Sequence, residues 1–401
     1  MQEINLRHFF ALADIADSGR LSVTAERVHI SQSALTQALR KLERQFGTEL
    51  FVRVGFGVSA TSAGEMLIQR SRRAFALLAR AEKKLRQRET DMAANISIGY
   101  KPTASQLRAL IAIVETGGFS LAARKLSLTQ PSVHRAAKQL EVLFGLRFFA
   151  RTAKGVETSE SAELLARYAA LMFAEIRQGF EELNELQGRM STRVAIGCLP
   201  LARAELLPQA VTELVRAYPE AGVSILDGPY SEQIHALRHG QTDWLIGALR
   251  DPPPTADLRQ QHLFAEPLSI VVRTGHPMLR AATPTPSSLA NLAWIAPTTG
   301  TPARDLFATF FENNGVVPPR RVIECSSLAA TRGLLQLGDR AALLSPSQVR
   351  RDVDAGQLAI LAPALPGTAR SIGITTRADW VPTAMQAKFA SIVHRLTRDR
   401  D

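Results

Sequence analysis

A helix-turn-helix pattern is written twice in the first half of this chain, and that repeat constrains the fold more than any other feature. The stretch Arg20–Gly47 aligns without a gap on Gly118–Gly145. Ser22 falls on Ser120, Ala25 on Ala123, Gln32 on Gln130, and Leu42-Glu43 on Leu140-Glu141. The register persists through Phe51 on Phe149 and Arg53 on Arg151. Self-similarity at a fixed spacing is read first because it sets the number of structural units.

Each copy makes sense as helix, turn and helix. In the first, Ser22 is expected to cap a short helix with Ala25 and Val28 facing inward. The small Ala25 lets two helices cross closely. Ser31 is expected to cap a second helix running to about Phe46, with Leu35, Leu39 and Leu42 on its buried face. Opposite them, Gln32, Ser33, Thr36, Gln37 and Arg40 form a polar stripe suited to base edges and phosphates in a major groove. In the second copy Ser120 and Thr129 are the expected caps, and Val133 and Leu140 are buried. Its stripe is Gln130, Pro131, Ser132, His134, Arg135 and Lys138. Two ordinary amphipathic hairpins would share the periodicity, but not the register.

After each second helix, Phe51–Val58 and Phe149–Val156 suit a small hairpin wing. Arg53 in one, and Arg151 with Lys154 in the other, are placed to touch sugar-phosphate. The pair Gly55-x-Gly57 does not read as a dinucleotide loop, since a helical pattern and not a buried strand precedes it.

Ser31-Gln32-Ser-Ala34-Leu35, Leu42-Glu43, Phe51-x-Arg53 and Thr61-x-Ala63-Gly64 resemble the N-terminal domain of LysR-type transcriptional regulators. Thr129-Gln130-Pro131-Ser-Val133 through Ser159 resembles the same domain, departing where Ala162 replaces the family's Gly after the wing. One such domain is the family norm, so the duplication bears on stoichiometry. The resemblance covers nearly the whole chain. It implies a DNA-binding regulator whose partners are double-stranded DNA, a small-molecule effector and further copies of itself, with RNA polymerase admitted as another.

The charge agrees. The 401 residues carry a net charge of +11. Residues 1–190 hold 27 Lys+Arg against 19 Asp+Glu, or +8, and the remainder 21 against 18, or +3. A basic half that also holds the repeats is an electrostatic footprint for phosphate. No basic amphipathic anchor or long apolar run points to a membrane. The opening residues through Arg7 lack an apolar signal core, and Cys198 and Cys325 lie far apart, which fits a reducing cytoplasm.

Leu67, Ser71, Ala74, Leu78, Ala81 and Leu85 repeat at alternating four- and three-residue spacing from Ala63 to about Arg88. Leu165, Tyr168, Met172, Ile176, Leu183 and Leu186 do nearly the same from Ser161 to about Gln187, with Gly179 as a weak point. Such seams pair with another helix. The resemblance implies antiparallel pairing with the same helix of a second subunit. Here the connector of residues 91–103 can stretch roughly 40 Å at about 3.3 Å per residue. That is enough for the seams to pair as a pseudo-dimer within one chain. Pairing between chains, with four readers per dimer, is the alternative. Ile96–Gly99 reads as a strand fragment.

From Arg193 the pattern alternates strand and helix, with strands at Arg193–Gly197, Val223–Leu226 and Asp243–Gly247. Such units make a mainly parallel sheet covered on both faces. Leu268–Arg273 reads as a strand crossing into a second lobe, and Leu358–Leu361 as the one returning. The expected fold class is multidomain: two α-rich winged helix-turn-helix domains with long linker helices, then an α/β two-lobed effector domain resembling type 2 periplasmic binding proteins. The expected bounds are 1–61 and 104–160 for the readers, 62–90 and 161–190 for the linker helices, and 91–103 for the connector. The effector domain is placed at 191–401, with lobe 1 about 191–266 and 361–401 and lobe 2 about 267–360.

Ligands in such sheets bind beyond the carboxyl ends of strands, between the lobes. That rule points to Cys198, Leu199 and Pro200, to Ala248 and Leu249, to Thr298, Thr299, Gly300 and Thr301, to Ser326 and Ser327, and to Ser345. Helix starts bearing hydroxyls favour a polar or anionic effector, although the same hydroxyls also serve as plain caps. A redox pairing of the two cysteines would need Cα atoms within about 7 Å; packing is the simpler role. Nucleophile elbows, phosphate loops and metal-ligand spacings are absent from the sequence, so no catalysis, cofactor or metal is expected. A solute-binding or enzymatic protein on the same two-lobed fold is the alternative.

Overall fold

The computed structural model describes residues 5–55, 57–88, 99, 101–153, 155–189, 193–280 and 284–398. The chain divides into two compact units, one centred on residues 1–193 and the other on 194–401.

The first unit states one plan twice. Helices α1 (Leu6–Ser18), α2 (Leu21–Arg27) and α3 (Gln32–Phe46), the hairpin β1 (Phe51–Val54) and β2 (Gly57–Ala60), and the long α4 (Ser62–Arg88) form the first copy. Helices α5 (Ala104–Thr116), α6 (Phe119–Leu126) and α7 (Gln130–Phe144), the hairpin β3 (Phe149–Thr152) and β4 (Gly155–Thr158), and α8 (Glu160–Leu186) form the second. Every element starts and stops at matching residues of the gapless alignment, save that α6 ends one residue later than α2. The expected strand fragment at Ile96–Gly99 lies outside the described residues apart from Gly99.

Ser31 caps α3 by accepting from the Ala34 N–H, and Thr129 caps α7 by accepting from the Ser132 N–H. Ser22 and Ser120 do not cap. The helices before them end in Gly19 and Gly117 at positive φ, so the chain turns at once and α2 and α6 begin two residues earlier than expected. Their N-cap positions are Arg20 and Gly118, without a side-chain cap bond.

The two long helices pack antiparallel within the one chain. Arg70, early in α4, reaches Glu182 late in α8 at 2.9 Å, whereas Arg88 at the end of α4 reaches Glu160 at the start of α8 at 3.4 Å. Leu67, Leu78 and Leu85 share one hydrophobic core with Leu165, Met172 and Leu183. Leu186, expected in the seam, is exposed. Nor is Gly179 a weak point. A Cβ there would lie 3.0 Å from the Arg70 Cβ and 3.1 Å from the Leu67 Cδ1, so the missing side chain is what lets the helices close.

The second unit runs β5 (Arg193–Cys198), α9 (Leu206–Ala217), β6 (Gly222–Asp227), α10 (Tyr230–Arg238), β7 (Trp244–Ala248), β8 (Leu258–Glu266), β9 (Ser269–Arg273), α11 (Pro286–Ala290) and β10 (Ala293–Ala296). It continues with α12 (Pro302–Asn313), β11 (Val322–Glu324), α13 (Leu328–Gln336), β12 (Arg340–Leu344), α14 (Pro346–Asp354), β13 (Leu358–Ala362), β14 (Arg370–Arg377) and α15 (Ala384–Thr397). Two five-stranded sheets result, ordered β6-β5-β7-β14-β8 and β11-β10-β12-β9-β13. Each is mixed and not mainly parallel. β5 with β7, and β10 with both β11 and β12, are parallel pairs; β14 and β9 run antiparallel to their partners.

Leu358–Leu361 does not return to the first lobe, because β13 pairs with β9 in the second. The returning strand is β14, between β7 and β8. Its run Ser371-Ile-Gly373-Ile-Thr375 lacks a continuous apolar signal. Glycine is needed at 373, where a Cβ would meet the Gln261 carbonyl oxygen at 2.1 Å.

Candidate nucleic-acid interface and inter-lobe positions

Helix α3 is two-faced. Leu35, Ala38, Leu39 and Phe46 are buried, while Gln32, Ser33, Gln37 and Arg40 are exposed. Thr36 is half-buried, and its hydroxyl donates to the Gln32 carbonyl at 2.9 Å. Ser33 Oγ lies 3.0 Å from the Ser31 hydroxyl. The Arg40 guanidinium has no hydrogen-bond or ion-pair partner among the described residues, so its charge is available to an outside group.

On α7 the residues Gln130, Pro131, Ser132, His134, Arg135 and Lys138 are all exposed. All but Ser132, joined by Gln139, line one open groove of about 540 Å³. Pro131 fits the first turn, where its missing N–H costs nothing. The His134 ring sits 5.2 Å from Phe119, and Lys138 Nζ is 3.4 Å from Glu141. Arg135, like Arg40, has no side-chain partner among the described residues. The two stripes thus occupy equivalent surfaces with different chemistry.

Arg53 is exposed on β1, opposite Val58 of β2, and the Val58 N–H donates to the Gly19 carbonyl at 2.9 Å, tying the wing to the end of α1. Arg151 occupies the matching place on β3; its side chain and all of Lys154 lie outside the described residues.

Four cations and a histidine escaped the sequence reading. Arg7, His8, Lys41, Lys101 and Arg108 line a cavity of about 740 Å³ beside α3 that no carboxylate of the described residues faces. Burial, and then the charges of Lys41 and Arg7, hold the His8 imidazole below its ordinary pKa. Arg108 stacks on Phe173 at 5.4 Å, and its Nε and Nη2 are buried without a hydrogen-bond partner. The alignment held the signal: His8 and Lys41 stand where the second copy has Gln106 and Gln139, which hydrogen-bond to each other at 3.3 Å.

In the second unit, Cys198 and Leu199 are buried, and Leu199 packs where a Gly247 side chain would be. Burial pushes the Cys198 thiol up to about 11, so it is a packing group at neutral pH. Pro200 is exposed; Ala248 and Leu249 are half-buried, with the Leu249 N–H donating to the Ser371 carbonyl at 2.9 Å. In the other lobe, Thr299 is exposed and donates to Glu324 Oε2 at 2.8 Å, which links the ends of β10 and β11. Thr301 caps α12 and donates to the Thr298 carbonyl at 2.7 Å; Gly300 takes a positive φ in the turn between them.

Ser327 caps α13, whereas the neighbouring Ser326 is exposed with no side-chain partner among the described residues. Ser345 is buried at the start of α14, its N–H donating to Gln348 Oε1 at 3.0 Å. Cations beyond strand ends were missed by the sequence reading. Arg203 pairs with Asp227, Arg250 lies 4.4 Å over the Tyr230 ring, and Arg304 lies 5.5 Å over Phe307.

Among the described residues, no group of three or more His, Cys, Asp or Glu side chains could hold a metal ion. None of the described helices is long and apolar enough to cross a membrane.

Residues 6–65 and 104–163 each match the pattern of the bacterial regulatory helix-turn-helix protein, lysR family, and residues 187–397 match the LysR substrate binding domain. The transcriptional regulator GalR of Pseudomonas putida is 31% identical over 373 residues, 93% of this chain and 92% of the relative. An alignment of that length runs through both copies of the repeat. PcaQ of Agrobacterium fabrum is 29% identical over 262 residues, 65% of this chain and 84% of its own. Among solved structures, a full-length OxyR variant from Pseudomonas aeruginosa aligns with a TM-score of 0.53 and 21% identity, covering 75% of this chain and 95% of that one. CbnR, a LysR family transcriptional regulator, aligns with a TM-score of 0.52 and 19% identity over 73% of this chain and 99% of its own. These structural likenesses concern the fold.

Proposed function

The chain belongs to the LysR family of transcriptional regulators, and from that premise we propose that it acts in the cytoplasm as a sequence-specific DNA-binding regulator with two unlike readers in one polypeptide. The observation that carries this reading is the pair of exposed stripes on α3 and α7, each with an arginine free of internal partners. Gln32, Ser33, Gln37 and Arg40 serve one half-site, and Gln130, Pro131, Ser132, His134, Arg135 and Lys138 the other. Thr36 contributes through its methyl group, since its hydroxyl is engaged within the helix. Arg53, Arg151 and Lys154 on the wings meet phosphate. A structure described as full-length CbnR complexed with its target DNA gives a precedent for the fold.

The effector is a small polar or anionic molecule held between the lobes. Exposed hydroxyls at Thr299 and Ser326, with Arg250 and Arg304 beyond strand ends, support that class. Cys198, Leu199 and Ser345 shape the walls from beneath, being buried. The protein acts by binding, not by catalysis. Selecting DNA from a random pool with the purified chain, at two salt concentrations, tests the proposal. The expected result is an enriched sequence whose affinity falls steeply with salt; no enrichment, or salt-independent binding, would count against it.

A further inference from the structure

The two long helices are unlike where they meet. Arg70 of α4 is buried in the seam. Its Nη1 donates to Glu175 Oε2 at 2.9 Å, and its Nε to Glu182 Oε2 at 2.9 Å. A second bond joins Nη2 to Glu182, and Gln178 Oε1 lies 3.4 Å from Nη1. The gapless alignment puts Tyr168 in α8 where α4 has Arg70. It puts Leu77, Arg80 and Lys84 in α4 where α8 has Glu175, Gln178 and Glu182. At the other end of the antiparallel pair, Tyr168 accordingly meets Lys84, whose ammonium is 5.9 Å from the ring centroid.

A symmetric pair of α4 helices in this register would set Arg70 against Leu77, Arg80 and Lys84 of the other copy. A symmetric pair of α8 helices would set Glu175 and Glu182 against Tyr168. The first crowds cations together and the second buries carboxylates without a cation. Both faults fall where Arg70 and Glu175 are only 3% and 5% exposed. Stripping a buried charge of its partner is strongly destabilising, and a polar residue in a helix seam fixes partner choice. Phe180 adds to the asymmetry. It packs on Phe9 and Phe46 of the first copy, at 5.9 and 5.0 Å between ring centroids, and the matching residue of α4 is Glu82.

We infer that the seam is a pairing code: α4 accepts α8 and rejects a second α4, so the DNA-binding unit has no two-fold symmetry and lies on its operator in one direction only. This rests on the DNA-binding function proposed above. A symmetric dimer offers the same reader to both half-sites and has no facing. Here the α3 and α7 stripes differ, so the order of two unlike half-sites along the DNA decides which way the chain points.

The test uses the full chain with Cys198→Ser and Cys325→Ser as background. Ser59→Cys and Glu157→Cys, matching exposed positions on the two wings, each carry an iron chelate that cleaves nearby DNA. On DNA selected with the unmodified protein, the Ser59 tether is expected to cut at one half-site and the Glu157 tether at the other, and inverting the half-site order should exchange them. Equal cutting of both half-sites by each tether would overturn the inference while leaving DNA binding intact; absence of any selected DNA would overturn both readings.

Pairing is checked separately at nanomolar protein with a short bismaleimide. Arg88→Cys with Glu160→Cys is expected to link within one chain. Ser62→Cys with Arg88→Cys, which symmetric α4 pairing would bring together, is expected to give no covalent dimer. Links joining two chains in either variant would overturn the code.

Discussion

The Glu43 carboxylate, near the end of the first recognition helix, accepts the Leu50 N–H at 2.9 Å and so fixes where the wing begins. Its Oε1 also accepts from the Phe51 N–H at 3.4 Å. Glu141 repeats the arrangement on Phe148 and Phe149, at 2.9 and 3.2 Å. The Leu-Glu pair common to both copies is therefore a structural clasp between helix and hairpin. Replacing Glu43 or Glu141 by Ala leaves two part-buried N–H groups unpaired. Hydrogen bonds to charged groups contribute about 1.5–3 kcal/mol, so either variant should lose about 2 kcal/mol in urea unfolding of the first unit, and the Gln variants about half. Unchanged midpoints would show that water replaces the clasp.

Substituting Arg40 or Arg135 by Ala should weaken DNA binding without altering stability, since neither guanidinium holds anything within the described protein. A base-reading arginine accounts for about 1–3 kcal/mol and shifts preference at its position. A phosphate contact instead weakens all sites alike and lowers the salt slope by about one. Titrations at several salt concentrations distinguish the two roles. If both variants bind as the parent does, the recognition helices are misassigned.

Much of this architecture was legible because duplication doubles every signal. Helix bounds, the αL glycines and the buried seam positions recur in register, so noise in one copy is corrected by the other. What was not legible is tertiary. The serines at 22 and 120 have capping chemistry, but the tight corners after Gly19 and Gly117 leave no cap position for them. Gly179 looked like a defect along one helix and proved to be a close approach between two. Strand β14 lacked an apolar run because its sheet position demands a glycine against a neighbouring carbonyl. Arg70 sits one residue off the apolar spacing, and only its partners 105 and 112 residues away explain its burial.

Acid should loosen the first unit partly through His8. Burial, then Lys41 and Arg7, depresses its folded pKa below the unfolded value of about 6.5. The unfolded chain therefore binds the proton more readily. Stability is intact above that value and is lost as pH falls through the window toward the folded pKa. His8→Gln, which copies Gln106 of the second repeat, should flatten the loss that sets in as pH falls below about 6.5. His276 is depressed by burial in the second unit and is untouched by this variant. Equal pH slopes for the variant and the parent would acquit His8.

Thr301 and Ser326 should separate capping from ligand contact. Thr301 accepts from the Arg304 N–H at 3.3 Å as the α12 cap. Thr301→Ala should cost about 1 kcal/mol of stability. The Ser326 hydroxyl is exposed and holds no partner among the described residues. Ser326→Ala should leave stability alone and raise the effector concentration needed for a transcriptional response. A Ser326 variant with unaltered response and unaltered folding would remove this residue from the proposed effector site.

Gly179 offers a test in which two effects oppose. Ala is favoured over Gly in a helix interior by about 1 kcal/mol, so on propensity alone Gly179→Ala should stabilise α8. The added Cβ would stand 3.0 Å from the Arg70 Cβ and 3.1 Å from both the Arg70 Cγ and the Leu67 Cδ1. Arg70 cannot swing clear, because Glu175 and Glu182 hold its guanidinium. Overpacking of a close-fitted interior costs about 1–3 kcal/mol, so the expected net result is a loss of roughly 1 kcal/mol. Gly179→Leu should lose considerably more and weaken DNA affinity as the readers shift on their linkers. Urea unfolding followed by gel-shift titration measures both. A Gly179→Ala protein more stable than the parent would mean that α4 and α8 do not approach so closely, and the antiparallel seam would have to be redrawn.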